Sequence, residues 1–153
     1  MLRQSVSSIV PKIIINNNYK LFFDGCSKGN PGLAGAGAVI YKNNQEIWAE
    51  SIFVGEKKTN NYAEYSGLIL GLIKAIELNI HSLIVIGDSQ LIINHMTGKY
   101  QCKSSNLLSL YETAKNLEKK IDKIEYKHVL RNLNKRADEL SNLGLNDYFN
   151  SSK

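Results

Sequence analysis

Cysteine is almost missing from this chain. Cys26 and Cys102 are the only two and stand far apart. They form neither a zinc-ligand spacing nor a disulfide framework. They read as reduced thiols of an intracellular compartment, cytoplasm or nucleus. No apolar run is long enough to span a membrane. Internal repeats are lacking. So is any heptad pattern or spare apolar segment that would advertise an interface, so a monomer is expected. What remains is an ordinary globular composition, 43% hydrophobic and 22% charged over 153 residues. That suits one domain with a sizeable core. The net charge is +5 and the pI about 9.1. A basic surface suits a polyanionic partner, more so if the acids are gathered in one place.

The chain reads as a tail over 1–18, a folded domain over 19–146 and a tail over 147–153. Tyr19 to Asp24 predicts a strand through Leu21, Phe22 and Phe23. A loop with Gly25, Gly29, Pro31 and Gly32 follows. Two further strands, Ala34–Tyr41 and Glu46–Val54, are spaced for an antiparallel meander. Thr59, Asn60 and Asn61 offer caps for a helix with an apolar face from Ala63 to Ile76. Leu83–Ile86 is a buried strand ending at Gly87-Asp88. Ser89–Met96 is a short helix. Ser104 or Ser105 opens another helix, with Leu107, Leu110, Tyr111, Ala114, Leu117 and Ile121 on one face. Ile124–Leu130 alternates as a last strand. Asn134 caps a final helix with Ala137, Leu140, Leu143 and Gly144 inward. The order β-β-β-α-β-α-α-β-α implies an α/β fold, a five-stranded mixed sheet covered by helices.

Four acids lie at element edges: Asp24 at the end of the first strand, Glu64 in the first turn of the long helix, Asp88 after the fourth strand, and Asp138 in the first turn of the last helix. Such edges are where α/β sheets build sites. Each acid also has a purely structural reading. Asp24-Gly25 is a turn signal. Asn61-x-x-Glu64 resembles a capping box. Asp88 suits an N-cap, and Asp138 favours the helix dipole.

The segments around these acids decide between the two readings. Asp24-Gly25-Cys26-Ser27-Lys28-Gly29-Asn30-Pro31-Gly32, Thr59-Asn60-Asn61-Tyr62-Ala63-Glu64, Gly87-Asp88-Ser89-Gln90-Leu91 and Asn134-Lys135-Arg136-Ala137-Asp138-Glu139-Leu140-Ser141-Asn142 resemble, in order and spacing, the four motifs of the type 1 ribonuclease H family. The resemblance runs from Tyr19 to Asn146. It implies the ribonuclease H-like fold and a metal site of Asp24, Glu64, Asp88 and Asp138. In the family such a site holds two Mg²⁺ ions, or Mn²⁺. Oxygen ligands suit hard cations. The implied activity is endonucleolytic hydrolysis of the RNA strand of RNA–DNA hybrids by a two-metal mechanism, giving 5′-phosphate and 3′-hydroxyl ends. Sensing 2′-hydroxyls calls for groups that both donate and accept. By resemblance Gly25, Cys26, Ser27, Asn30, Asn60, Asn61 and Gln90 line the substrate groove.

The segment Tyr126-Lys127-His128-Val129-Leu130-Arg131-Asn132-Leu133-Asn134 lacks the Gly-His-rich loop of many members. It resembles the short-loop plant and archaeal branch. His128, on an alternating strand, reads as packed and hydrogen-bonded. Arg131, seven residues before Asp138, is ranked above it for product release or phosphate binding. Neither the basic handle that many bacterial members insert after the third motif nor a separate hybrid-binding domain is expected. Lys99 and Lys103 are the only basic residues of the 98–104 loop. Modest affinity with steep salt dependence is therefore expected. Double-stranded RNA is a second candidate substrate. Two readings of other classes compete. A non-catalytic hybrid- or double-stranded-RNA-binding module is disfavoured by the presence of all four acids. An actin-like or sugar-kinase-like ATPase needs a far longer chain.

Overall fold

The structure, a computed structural model, describes residues 18–151. The expected tail therefore lies outside the described residues, apart from Asn18. Nine regular elements follow in the expected order: β1 (Tyr19–Lys28), β2 (Gly32–Lys42), β3 (Gln45–Lys58), α1 (Asn60–Glu77), β4 (Ser82–Gly87), α2 (Gln90–Met96), α3 (Ser105–Glu118), β5 (Lys123–His128) and α4 (Lys135–Ser151). A 3-10 turn, Arg131–Leu133, joins β5 to α4.

The sheet order is β3-β2-β1-β4-β5. β1, β2 and β3 pair antiparallel, whereas β4 runs parallel to both β1 and β5. β1 is thus central and β3 forms an edge. Leu21, Phe23, Ala38 and Ile40 on one face pack with Tyr65, Leu68 and Leu72 of α1, and the core continues through Ile92 to Leu107 and Ala114 of α3. The other face carries Gly37, paired with Asp24. A methyl group on Gly37 would stand 2.4 Å from Leu140 Cβ, so glycine lets α4 lie directly on β2.

Four expectations are corrected. First, β1 does not stop at Asp24. It continues to Lys28 because residues 25–28 pair with 33–36 in the hairpin, leaving only 29–31 as a turn. Gly29 (φ +109°) and Asn30 (φ +34°) supply that turn's left-handed backbone. Second, β5 ends at His128, and the chain then enters the 3-10 turn. Third, α4 runs through Ser151, so the expected C-terminal tail is largely helical. Tyr148 stacks on Phe53 at 4.6 Å between ring centroids. Fourth, Leu143 is 43% exposed while Leu145 is buried. The inward set is Ala137, Leu140, Ser141, Gly144 and Leu145, spaced at 3.6 residues per turn. Position 143 lies on the far side of that set.

Candidate active site

The parallel pairing of β1 with β4 stops at Phe23↔Gly87. Beyond it the carboxyl end of β4 leaves a gap beside β1, the place where open α/β sheets bind ligands. Asp24 stands in mid-strand at this gap rather than at a strand end. Asp88 is the first residue after β4. It is not the cap of α2, because Ser89 Oγ accepts the Ile92 N–H at 3.3 Å. Its carboxylate is therefore spared for the gap.

Glu64 arrives from α1. The cap of that helix is Thr59, whose Oγ1 accepts the Tyr62 N–H at 3.1 Å. Glu64 is then in the second turn, and the capping-box reading fails. Its Oε1 instead accepts the Gly25 N–H at 3.1 Å across the helix–sheet interface. This contact requires glycine at 25: a methyl there would sit 2.2 Å from the Ala63 carbonyl carbon.

Ligand atoms of Asp24, Glu64 and Asp88 lie within 4.8 Å of one another. Asp24 and Glu64 are 4% and 7% exposed. Asp138, in the first turn of α4, meets Asp24 from the other side. The expected cap Asn134 gives its carbonyl to Asp138 N–H at 3.1 Å. Its side chain does not cap the helix: Nδ2 donates to Phe23 O at 2.9 Å, tying the start of α4 to β1.

Burial pushes the Asp24 carboxyl up to about 6, with the Asp88 charge and the Asp138 carboxyl adding to the rise and hydrogen bonds with Glu64 and Gly25 opposing it. Burial, then the neighbouring Asp24, raises the Glu64 carboxyl well above its ordinary value. Glu64 Oε2 is buried without a hydrogen-bond partner. Crowded, desolvated carboxylates with an unpartnered oxygen are unfavourable alone and fit a hard divalent cation, which neutralises them and takes oxygen ligands. The donor set thus fits a hard divalent cation.

A groove of about 320 Å³ opens over the cluster, lined by Asp24, Gly25, Cys26, Asn60, Asn61, Glu64, Asp88, Ser89 and Arg131. It brings together most of the expected site residues. Ser27 and Asn30 stand beside it and brace it: Asn60 Oδ1 accepts the Ser27 N–H at 2.7 Å, and Asn30 Oδ1 accepts the Asn60 N–H at 2.9 Å. Ser27 Oγ donates to Lys58 O at 2.6 Å. Gln90 is exposed, outside the lining, and donates to Asn94 Oδ1 at 3.2 Å. His128 also lies outside the lining and donates from Nε2 to the Asp88 carbonyl at 3.3 Å. Arg131 reaches the groove. Sequence reasoning missed Ser89 as a lining residue. A serine three residues before Ile92, directly after an acid, is an N-cap signal that would have found it.

A family profile described as "Reverse transcriptase-like" matches residues 22–144. The chain is 42% identical over 120 residues to a bifunctional protein of Mycobacterium tuberculosis, covering 78% of this chain but 33% of that protein. It therefore spans about a third of the length of this relative. It is 30% identical over 148 residues to the ribonuclease H of Pseudomonas fluorescens, covering 86% of this chain and 92% of that one. Its structure is similar to that of LC11-RNase H1 in complex with an RNA/DNA hybrid, with a TM-score of 0.81 at 30% identity, over 86% of this chain and 99% of the other. Fold, acidic cluster and relatives agree, and the chain belongs to the type 1 ribonuclease H family.

Proposed function

We propose that this chain is a metal-dependent endoribonuclease that hydrolyses the RNA strand of RNA–DNA hybrids to 5′-phosphate and 3′-hydroxyl products. The observation that carries this reading is the convergence of Asp24, Glu64 and Asp88 within 4.8 Å at the floor of an amide-lined groove, with Asp138, outside the lining, against Asp24. Support comes from the LC11-RNase H1 relative, whose structure holds an RNA/DNA hybrid.

Asp24, Glu64, Asp88 and Asp138 would hold two Mg²⁺ ions, with Mn²⁺ as the substitute. Bound there, divalent cations supply water activation and charge neutralisation at the scissile phosphate. The chain's own groups do the rest. The Gly25 N–H fixes Glu64 in place. His128 holds the Asp88 backbone from behind. The side-chain amides of Asn60 and Asn61, in the groove beside Gly25 and Cys26, present donors and acceptors suited to 2′-hydroxyls, which only the RNA strand carries. Ser27 and Asn30 keep Asn60 in position. Arg131, always charged, suits a phosphate and cannot act as a proton shuttle.

The test is cleavage of end-labelled RNA annealed to DNA, in Mg²⁺ and in EDTA, beside single-stranded RNA, double-stranded RNA and an Asp88→Asn protein. Metal-dependent cutting of the hybrid's RNA strand, lost in the variant, is the expected result. Tight hybrid binding without cutting in either Mg²⁺ or Mn²⁺ would overturn the enzyme reading in favour of a binding module.

A further inference from the structure

A second cavity, of about 340 Å³, lies on the other side of the 3-10 turn. The turn separates the two: Arg131 lines the acidic groove, and Leu133 lines the second cavity. Nothing in the reaction proposed above uses this space. Its floor is aromatic, made by Phe22 and Tyr41, which meet edge to face at 5.6 Å and are both half-buried. Leu133, 64% exposed, forms an apolar wall. Lys20 and Lys135 stand at its rim, and neither makes an ion pair with a described residue. Lys135 is also the first residue of α4, so the positive end of that helix dipole faces the same space. Asn134 lines the cavity too, is 1% exposed, and keeps Oδ1 buried without a partner.

Each feature restricts the ligand. Two free cations and a helix start call for an anion. The perpendicular ring pair offers one ring face and one ring edge, which suit the face and the rim of a flat aromatic ring. A cavity of this size suits a small molecule of a few dozen atoms. A nucleotide combines these properties: a planar base, a sugar with hydroxyl donors and a terminal phosphate. From this geometry we infer that the cavity is a second binding site, specific for a nucleoside 5′-monophosphate, with the base stacked on one ring of the Phe22–Tyr41 pair and edge-on to the other, and the phosphate between Lys20 and Lys135. None of the four carboxylates takes part, so the inference does not depend on the proposed nuclease reaction.

The test is titration of the ¹⁵N-labelled chain with adenosine 5′-monophosphate in EDTA, followed by amide shifts. Adenosine and inorganic phosphate serve as half-ligands. The expected result is saturable shifts centred on Lys20, Phe22, Tyr41 and Lys135, the same in an Asp88→Asn protein. Lys20→Glu, checked by its unchanged spectrum without ligand, should weaken binding at least about tenfold. Lys135→Gln, on the exposed start of a helix, is a second probe and should weaken it in the same direction. Each half-ligand alone should bind at least about tenfold more weakly. Shifts confined to Asn61 and Asp88, equal affinity in both lysine variants, or no shift at millimolar nucleotide would each overturn the inference.

Discussion

Replacing Asp24 with asparagine sets stability against function. The Asp24 carboxyl is raised from 3.8 to about 6, chiefly by burial. Well above pH 6 it is ionised in both folded and unfolded chains, and the folded state bears the whole cost. At 1.36 kcal/mol per pH unit that cost is about 3 kcal/mol. Below the unfolded value both states are protonated and the cost is gone. Between the two values the folded chain holds more protons than the unfolded one, so metal-free stability rises as pH falls. The cost is about half its full size near pH 5 and mostly gone near pH 4. Asparagine is uncharged throughout. The metal-free Asp24→Asn protein should therefore be more stable than its parent by about 2–3 kcal/mol near pH 8, or roughly 5–10 °C in Tm for a domain of this size. The gap should close on acidification. Mg²⁺ should raise the parent's Tm and the variant's far less, and hybrid cleavage should be lost. Melting curves by circular dichroism in EDTA at three pH values, repeated in Mg²⁺, measure all of this. A variant that melts below the parent near pH 8 in EDTA, or a gap that does not narrow towards pH 4, would refute the electrostatic reasoning.

Three further outcomes are expected. Gly25→Ala drives a methyl to 2.2 Å from the Ala63 backbone; urea unfolding should show a loss of about 3 kcal/mol, because backbone rather than a flexible side chain must yield. Tyr65→Phe removes a fully buried hydroxyl paired with His95 Nδ1 at 2.6 Å; stability should fall by about 1–2 kcal/mol with cleavage unchanged in the folded protein, read from melts and initial rates. Arg131→Ala, at an exposed position in the groove, should leave Tm within about 1 °C but weaken hybrid cleavage, while Arg131→Lys restores only part because a lysine offers no planar fork.

The helices were legible because their apolar residues recur at 3.6. The strand at Leu83 was legible as a short apolar run between turn signals. The four carboxylates were legible only as a set, since each alone is an equally good cap or turn residue. The structure shows why those local readings fail: Thr59 and Ser89 take the caps of α1 and α2, leaving Glu64 and Asp88 unclaimed. The strand from Gly25 to Lys28 was not legible. Gly, Cys, Ser and Lys have no apolar alternation, and what makes them extended is their pairing with 33–36, a tertiary fact. Leu143 was misplaced because a leucine near a helical stripe looks like part of it, whereas Leu145 completes the spacing. Gln90 sits beside the third acid in sequence, but the helix turns its amide to Asn94. The second cavity left no trace in sequence, since its walls come from β1, β2, the 3-10 turn and the start of α4.

The four carboxylates come from β1, α1, the end of β4 and α4, and the last is separated from the first by most of the chain. No fragment shorter than residues 24–138 contains all four. Synthesis runs from the N-terminus and a domain generally folds as a unit, and Asp138 is the last of the four to be made. The proposed cutting activity therefore cannot precede docking of α4 on the sheet. On the proposed function, a half-made or partly melted chain would be harmless to nucleic acid, and activity would serve as a built-in report that the whole fold has closed.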